Sequence, residues 1–216
     1  MIKKKIIVIQ GGTSKEREIS LKTAESCIKA IKKIGYKVIK FDPKFSSIFE
    51  INNLDSNIIF NALHGKNGED GKIQSFFEYF GKKYTHSGVQ SSMIAMNKDL
   101  SKQLFINNNI KTPNYFCIHK KINENINLKK IIKKNKICFP VVIKPNDEGS
   151  SIGVKICKNI KILKKEFNIL KKLYENLMIE TYIPGQEIQV ALMGGKAIGA
   201  IELRPKRKFY DYNAKY

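Results

Sequence analysis

Phe139-Pro-Val-Val-Ile-Lys-Pro-Asn-Asp-Glu-Gly-Ser-Ser-Ile-Gly-Val154 is the stretch on which the fold turns. Its apolar run Val141-Val142-Ile143 ends at Lys144 and Pro145. A loop of acidic residues, glycine and serine follows, and a second apolar run opens at Ile152. That order predicts strand, loop, strand, with a lysine at the exit of the first strand. Gly149-Ser150-Ser151 offers successive backbone N–H groups and two hydroxyls, which can wrap phosphate oxygens while Lys144 adds a point charge. The same residues also suit an ordinary polar hairpin.

Downstream, Leu177 to Ile183 predicts a strand whose end carries Glu180, and Pro184-Gly185 turns the chain into a return strand, Glu187 to Met193. Gly194-Gly195 makes a second tight turn before Ala197 to Leu203. Lysine-rich helical patterns cover Asn127 to Asn135 and Asn159 to Leu173. This part of the chain predicts an α+β unit with a mainly antiparallel sheet.

Upstream the pattern differs. Lys5 to Gln10, Lys37 to Asp42 and Asn57 to Ala62 are short β-branched runs, and a helical pattern through Leu21, Ala24, Cys27, Ile28 and Ile31 separates the first two. Such alternation predicts a doubly wound parallel sheet. Ligands of these sheets sit beyond the carboxyl ends of strands, where Gly11-Gly12-Thr13 and Leu63-His64-Gly65 fall. Gly-Gly-Thr is not the dinucleotide fingerprint, which argues against a nicotinamide cofactor. Thr13-x-x-Glu16 fits a capping box, while its neighbours Arg17 and Glu18 equally suit a polar site. His64 stands in a loop of three glycines and several polar residues, either a turn or a segment facing a ligand. Ile73, Phe76, Phe77 and Phe80 form the core face of the next helix. Met93 to Asn108 predicts one helix with Lys98 and Lys102 on one face, and Lys111-Thr-Pro113 then breaks the chain.

The 216 residues, 42% of them hydrophobic, suffice for one large or two small cores. No apolar run reaches membrane-spanning length, and the first residues are too short and strand-like for a signal peptide. Four scattered cysteines without Cys-x-x-Cys or Cys/His clustering predict reduced thiols in a cytoplasmic protein. A net charge of +21 raises nucleic-acid binding, but of 40 basic residues only Arg17, Arg204 and Arg207 are arginine. Gripping and reading surfaces favour arginine, so the lysines predict solvated faces.

Gly11-Gly-Thr-Ser-Lys-Glu-Arg-Glu-Ile-Ser20, Ala62-Leu-His-Gly65 with Gly68-Glu-Asp-Gly71, Met96-Asn-Lys98, Lys144-Pro with Glu148-Gly-Ser-Ser-x-Gly153, and Phe209-Tyr-Asp-Tyr-Asn-Ala-Lys-Tyr216 together resemble the D-alanine–D-alanine ligase family of the ATP-grasp superfamily. The resemblance spans the chain in order. It implies an N-terminal doubly wound (pre-ATP-grasp) substrate domain over 1–96 and an incomplete α+β ATP-grasp domain over 97–216. The implied activity is ATP-dependent ligation of two D-alanines through an acyl phosphate, for peptidoglycan precursors, in a cytoplasmic homodimer without nucleic-acid or membrane partners. Lys98 and Lys144 would neutralise the ATP phosphates and the Gly149-Ser150-Ser151 loop would close over them. Glu180 would accept from the adenine amino group, with Tyr182 beside the base, and Glu187 would hold the ribose hydroxyls. Glu16 would bind the ammonium of the first D-alanine and hydrogen-bond to Ser150 and Tyr216 across the two domains. His64 would border that substrate, and Lys215 would assist phosphoryl transfer.

The acidic and asparagine ligands for magnesium or manganese that the resemblance implies would follow Tyr216. The chain is therefore expected to be C-terminally truncated, to hold no metal ligands, and to be inactive alone. Asn213 also replaces a residue that is often acidic in the family. The alternatives are an inactive remnant, a ligase with another second substrate such as D-lactate, and a basic nucleic-acid-binding protein.

Overall fold

The computed structural model describes residues 4–56, 58–119 and 126–204. The chain divides into two compact units, residues 1–101 and 102–216. In the first, β1 (Lys5–Ile9), β2 (Lys37–Phe41) and β3 (Ile58–Asn61) form a parallel sheet in the order β2-β1-β3. The β1 run alternates between two cores, as a strand covered on both faces must. Ile6 and Val8 pack with Ala24, Ile28 and Ile31 of α1 (Arg17–Lys33). Ile7 and Ile9 pack on the opposite face with Ile51, Ile73 and Phe77, the last two from α2 (Lys72–Tyr79). This is the doubly wound arrangement the sequence predicts.

The pattern over Met93 to Asn108 resolves into two helices, α3 (Val89–Met96) and α4 (Lys98–Asn107). The break is chemical. Asn97 is extended, with φ −88° and ψ 104°, and its side-chain oxygen accepts from the N–H groups of Asp99 and Leu100, both at 3.1 Å. A capping asparagine ends one helix and starts the next.

In the second unit β4 (Tyr115–His119), β5 (Val141–Pro145), β6 (Lys155–Cys157) and β7 (Asn176–Thr181) make an antiparallel sheet in the order β4-β7-β5-β6. Val141, Ile143, Leu177 and Ile179 turn to one face and form a core with α5 (Leu128–Lys134) and α6 (Ile160–Leu170), chiefly through Leu128, Ile132, Leu163 and Phe167. Asn127 and Asn159 cap these helices by accepting from Lys130 N–H and Ile162 N–H.

Among the described residues the hairpin β8 (Glu187–Met193) and β9 (Lys196–Leu203) pairs only with itself. The expected return pairing of Glu187–Met193 on β7 is not made, because β4 and β5 already occupy both sides of β7. Every residue of β8 is exposed, Leu192 at 71%.

Candidate active site

In the first unit the turn after β1 is held by a polar lattice. Gly11 N–H donates to Ser20 Oγ at 2.7 Å, and Ser20 Oγ donates to Ala62 O at 2.7 Å, tying the turn to α1 and to the exit of β3. Arg17 clamps Asp42 through Nη1 and Nη2, at 3.1 and 2.8 Å, and Nη1 also donates to Gly12 O at 2.8 Å. Burial acts to raise the Asp42 carboxyl, but Arg17 and the N–H groups of Lys44 and Gly12 prevail and hold it below the usual carboxylate range.

Glu16 is 3% exposed and occupies the N-cap position of α1 without a side-chain capping bond. The capping box with Thr13 does not form, since the helix begins at Arg17 and the Glu16 N–H donates to Ser14 Oγ instead, at 3.1 Å. The carboxylate lies against the loop after β3: a Cβ added to Gly65 would fall 2.4 Å from Glu16 Oε2. That loop is fixed by Ser14 Oγ donating to His64 O at 2.7 Å and by Thr23 Oγ1 meeting His64 Nε2 at 3.0 Å. Glu69 accepts from Gly65 N–H at 2.7 Å, and His64 Nδ1 is 4.0 Å from its other oxygen. A cavity of about 130 Å³ opens here, at the carboxyl ends of the parallel strands, lined by Gly11, Gly12, Ser14, Pro43, Leu63 and His64.

Lys98 is half-buried in the first turn of α4, which Asn97 caps.

In the second unit the sheet face opposite the main apolar core sets charged side chains among apolar ones such as Val142 and Met178. Tyr115 and Val142 lie directly across from Glu180 on either side, and Lys144 is one diagonal step away, so the three-strand register puts these side chains on one face. The Lys144 ammonium contacts Glu180 Oε1, and Lys102 Nζ contacts Oε2 at 2.9 Å. Burial pushes the Glu180 carboxyl up, but the two ammoniums outweigh it and the net shift is downward. Burial in turn lowers Lys102, with Glu180 opposing.

After β5 the chain forms the tight turn in which Ile152 N–H donates to Gly149 O at 2.9 Å. Ser150 and Ser151 both take positive φ, 48° and 57°, a region serine seldom enters. Gly153 also has a positive φ, 72°, and a Cβ there would stand 2.8 Å from Pro145 Cγ. Strain of this kind accumulates where a loop must hold a set shape.

The structure thus joins Lys144 with Glu180, and Glu16 with the His64-Gly65 loop. Tyr182 follows β7, half-buried, with its N–H donating to Pro140 O at 2.9 Å. Glu187 opens the separate hairpin and is exposed; it does not join the Lys144–Glu180 cluster. Lys215 and Tyr216 lie outside the described residues. Among the described residues no group of three or more His, Cys, Asp or Glu gathers as a metal site. Likewise no helix among them is long and apolar enough to cross a membrane.

Sequence reasoning missed Asp42, Ser20 and Lys102. Asp42 directly follows a parallel strand, the same signal that singled out Gly11 and His64. Lys102 shares a helix face with Lys98, but spacing does not tell that one of them is buried against a carboxylate.

The family model of the D-Ala–D-Ala ligase C-terminus matches residues 104–216. Over 99% of its length the chain is 51% identical to the D-alanine–D-alanine ligase of Pelagibacter ubique (strain HTCC1062), of which it covers 69%. It is 42% identical to the ligase of the same name from Wolbachia pipientis wMel, covering 98% of this chain and 65% of that one. Its fold matches the crystal structure of the Bacillus anthracis D-alanine–D-alanine ligase complexed with ATP at a TM-score of 0.82 and 31% identity, over 96% of this chain and 68% of that one. The chain therefore spans about two thirds of these proteins.

Proposed function

The chain belongs to the D-alanine–D-alanine ligase family, ATP-dependent carboxylate–amine ligases, and from that premise we propose how its residues divide the reaction. The first D-alanine is held at the carboxyl ends of the parallel strands by residues of the 1–96 domain, its ammonium on Glu16 and its flank along His64. ATP is held by the 97–216 ATP-grasp domain. Lys98 and Lys144 neutralise phosphate charge, the Ser150-Ser151 turn gives N–H and hydroxyl donors, and Glu180 accepts from the adenine amino group. Tyr182 lies along the base and Glu187 takes the ribose hydroxyls.

The γ-phosphoryl group passes to the carboxylate of the first D-alanine, giving an acyl phosphate and ADP. The second D-alanine, its ammonium having lost a proton to solvent, attacks that carbonyl carbon through nitrogen; the C–O bond breaks with its electron pair going to the departing phosphate, and the new amide nitrogen gives up its extra proton. Most of the rate in such a transfer comes from positioning and from charges fixed in advance. Lys215, Ser150 and Tyr216 complete the assignment, and magnesium or manganese accompanies ATP. The setting is cytoplasmic synthesis of a cell-wall precursor, by a homodimer.

One observation carries this reading. The Lys144 and Glu180 side chains meet on the face of an antiparallel sheet opposite its main core, and the β5 strand of that sheet leads on to the strained Ser150-Ser151 turn. The test, on the chain extended by the C-terminal third that its relatives carry, is ADP release from ATP with D-alanine as the only amino acid, with D-alanyl-D-alanine identified by mass. Release that does not depend on D-alanine, or a depsipeptide when D-lactate competes, would refute it.

A further inference from the structure

We propose that Lys102 is a positioning residue for Glu180 and through it sets which purine the nucleotide site accepts. The inference rests on the reading that Glu180 accepts a hydrogen bond from the adenine amino group.

Lys102 is 6% exposed, and its ammonium is saturated. An ammonium has three protons. Here they meet Thr112 Oγ1 at 2.8 Å, Pro113 O at 3.1 Å and Glu180 Oε2 at 2.9 Å. The Tyr115 ring covers the remaining side, its centre 4.8 Å from Nζ. No proton is left for a ligand, so Lys102 acts only through Glu180.

Two ammoniums face one carboxylate, which leaves one surplus positive charge beside the strained turn. The two lysines differ in how they are held. Lys144 sits at the end of β5 and its contact with Glu180 uses one of its three protons. When phosphate binds, Lys144 can turn to it. Lys102 stays, because Thr112, Pro113 and Tyr115 anchor it independently of the nucleotide. Glu180 is then left ionised and fixed by Oε2, with Oε1 open to a single donor. A 6-amino purine supplies that donor. A 6-oxo purine presents an acceptor to an acceptor, and a buried carboxylate facing a carbonyl oxygen is penalised. Without Lys102 the carboxylate loses its fixed direction and the penalty with it.

The test compares ATP with ITP, which differ at the 6-position, by competition against a fluorescent ATP analogue on the full chain. Wild type should prefer ATP by tenfold or more. Lys102→Met should cut that preference several-fold while the folded state, followed by circular dichroism, persists. Glu180→Gln serves as the control for the underlying reading. If Glu180→Gln keeps the ATP preference, that reading falls and takes the proposal with it. If Glu180→Gln loses the preference but Lys102→Met keeps it, or loses affinity for both nucleotides equally, the role of Lys102 alone is overturned. Should Lys102→Met not fold, Thr112→Val removes one anchor and keeps the charge. A reduced ATP/ITP ratio there supports the proposal, and an unchanged ratio counts against it.

Discussion

The Arg17 guanidinium grips the Asp42 carboxylate with both terminal nitrogens, and a Cβ on Gly11 would stand only 2.4 Å from Asp42 Oδ2. The first turn of the parallel sheet is therefore closed over an ion pair that itself belongs to the wall of the turn.

The pH dependence of stability follows from that pair. The folded Asp42 carboxyl titrates below its ordinary value, so it binds fewer protons than in the unfolded chain. Its contribution is complete above the unfolded value, near pH ~4, and is lost as the pH falls through the lower folded value. Asp42→Asn should lower the urea midpoint at pH 7 and flatten its decline in acid. Urea titrations at several pH values decide it; parallel curves for the two proteins would mean that the pair adds nothing.

Gly65 has φ +69° and faces Glu16 Oε2. Gly65→Ala should cost about 1–2 kcal/mol for the left-handed backbone alone. Because the added methyl also displaces a buried carboxylate, the Kd for D-alanine should rise in a calorimetric titration while that for ATP holds. Equal changes in both would argue against Glu16 as the substrate-ammonium site.

Serines 150 and 151 hold a conformation that glycine adopts freely. Ser150→Gly removes left-handed strain of about 1–2 kcal/mol but loosens the unfolded chain by about 0.4–1 kcal/mol, so stability should stay level or rise slightly. Nucleotide affinity should nonetheless fall with the lost hydroxyl. A variant that is less stable and binds ATP normally would show that the turn is only structural.

Ile179 is fully buried between β5, β4 and the helices of the second unit. Ile179→Ala should cost about 2–5 kcal/mol in a denaturant titration. Leu192→Ser, on the exposed hairpin, should change the midpoint by no more than about 0.5 kcal/mol. A large loss at Leu192 would mean that this hairpin is covered in solution.

Much of this was legible beforehand, for identifiable reasons. Ile6 to Ile9 and Val141 to Ile143 are β-branched runs with turn residues at their ends, so strand and exit were fixed by local chemistry. The same holds for Lys144 and the serine turn. What spacing could not supply was pairing over distance. Glu180 was visible as a strand-end carboxylate, but its second lysine comes from a helix 78 positions earlier, and only burial distinguishes it from dozens of solvated lysines. Spacing predicts one helix over Met93 to Asn108 because the apolar period continues through Asn97, while the backbone breaks there into two. The strand Glu187 to Met193 and its pairing across the Gly194-Gly195 turn follow from local chemistry, whereas nothing local tells that both sides of β7 are already bonded.

The β8–β9 ribbon has a practical consequence. Ile188, Val190, Leu192, Ile198 and Ile201 all reach water at more than half of their surface, and among the described residues the outer backbone edges of both strands have no strand beside them. A two-stranded ribbon is marginal by itself in water, so its amides should exchange with deuterium orders of magnitude faster than those of β5 or β7. Its stickiness is the other half of the same property: concentrated solutions of the chain should gel or precipitate through this ribbon, edge to edge, long before the two cores unfold. Charged residues placed at Val190 and Ile198 are the remedy to try when preparing the protein.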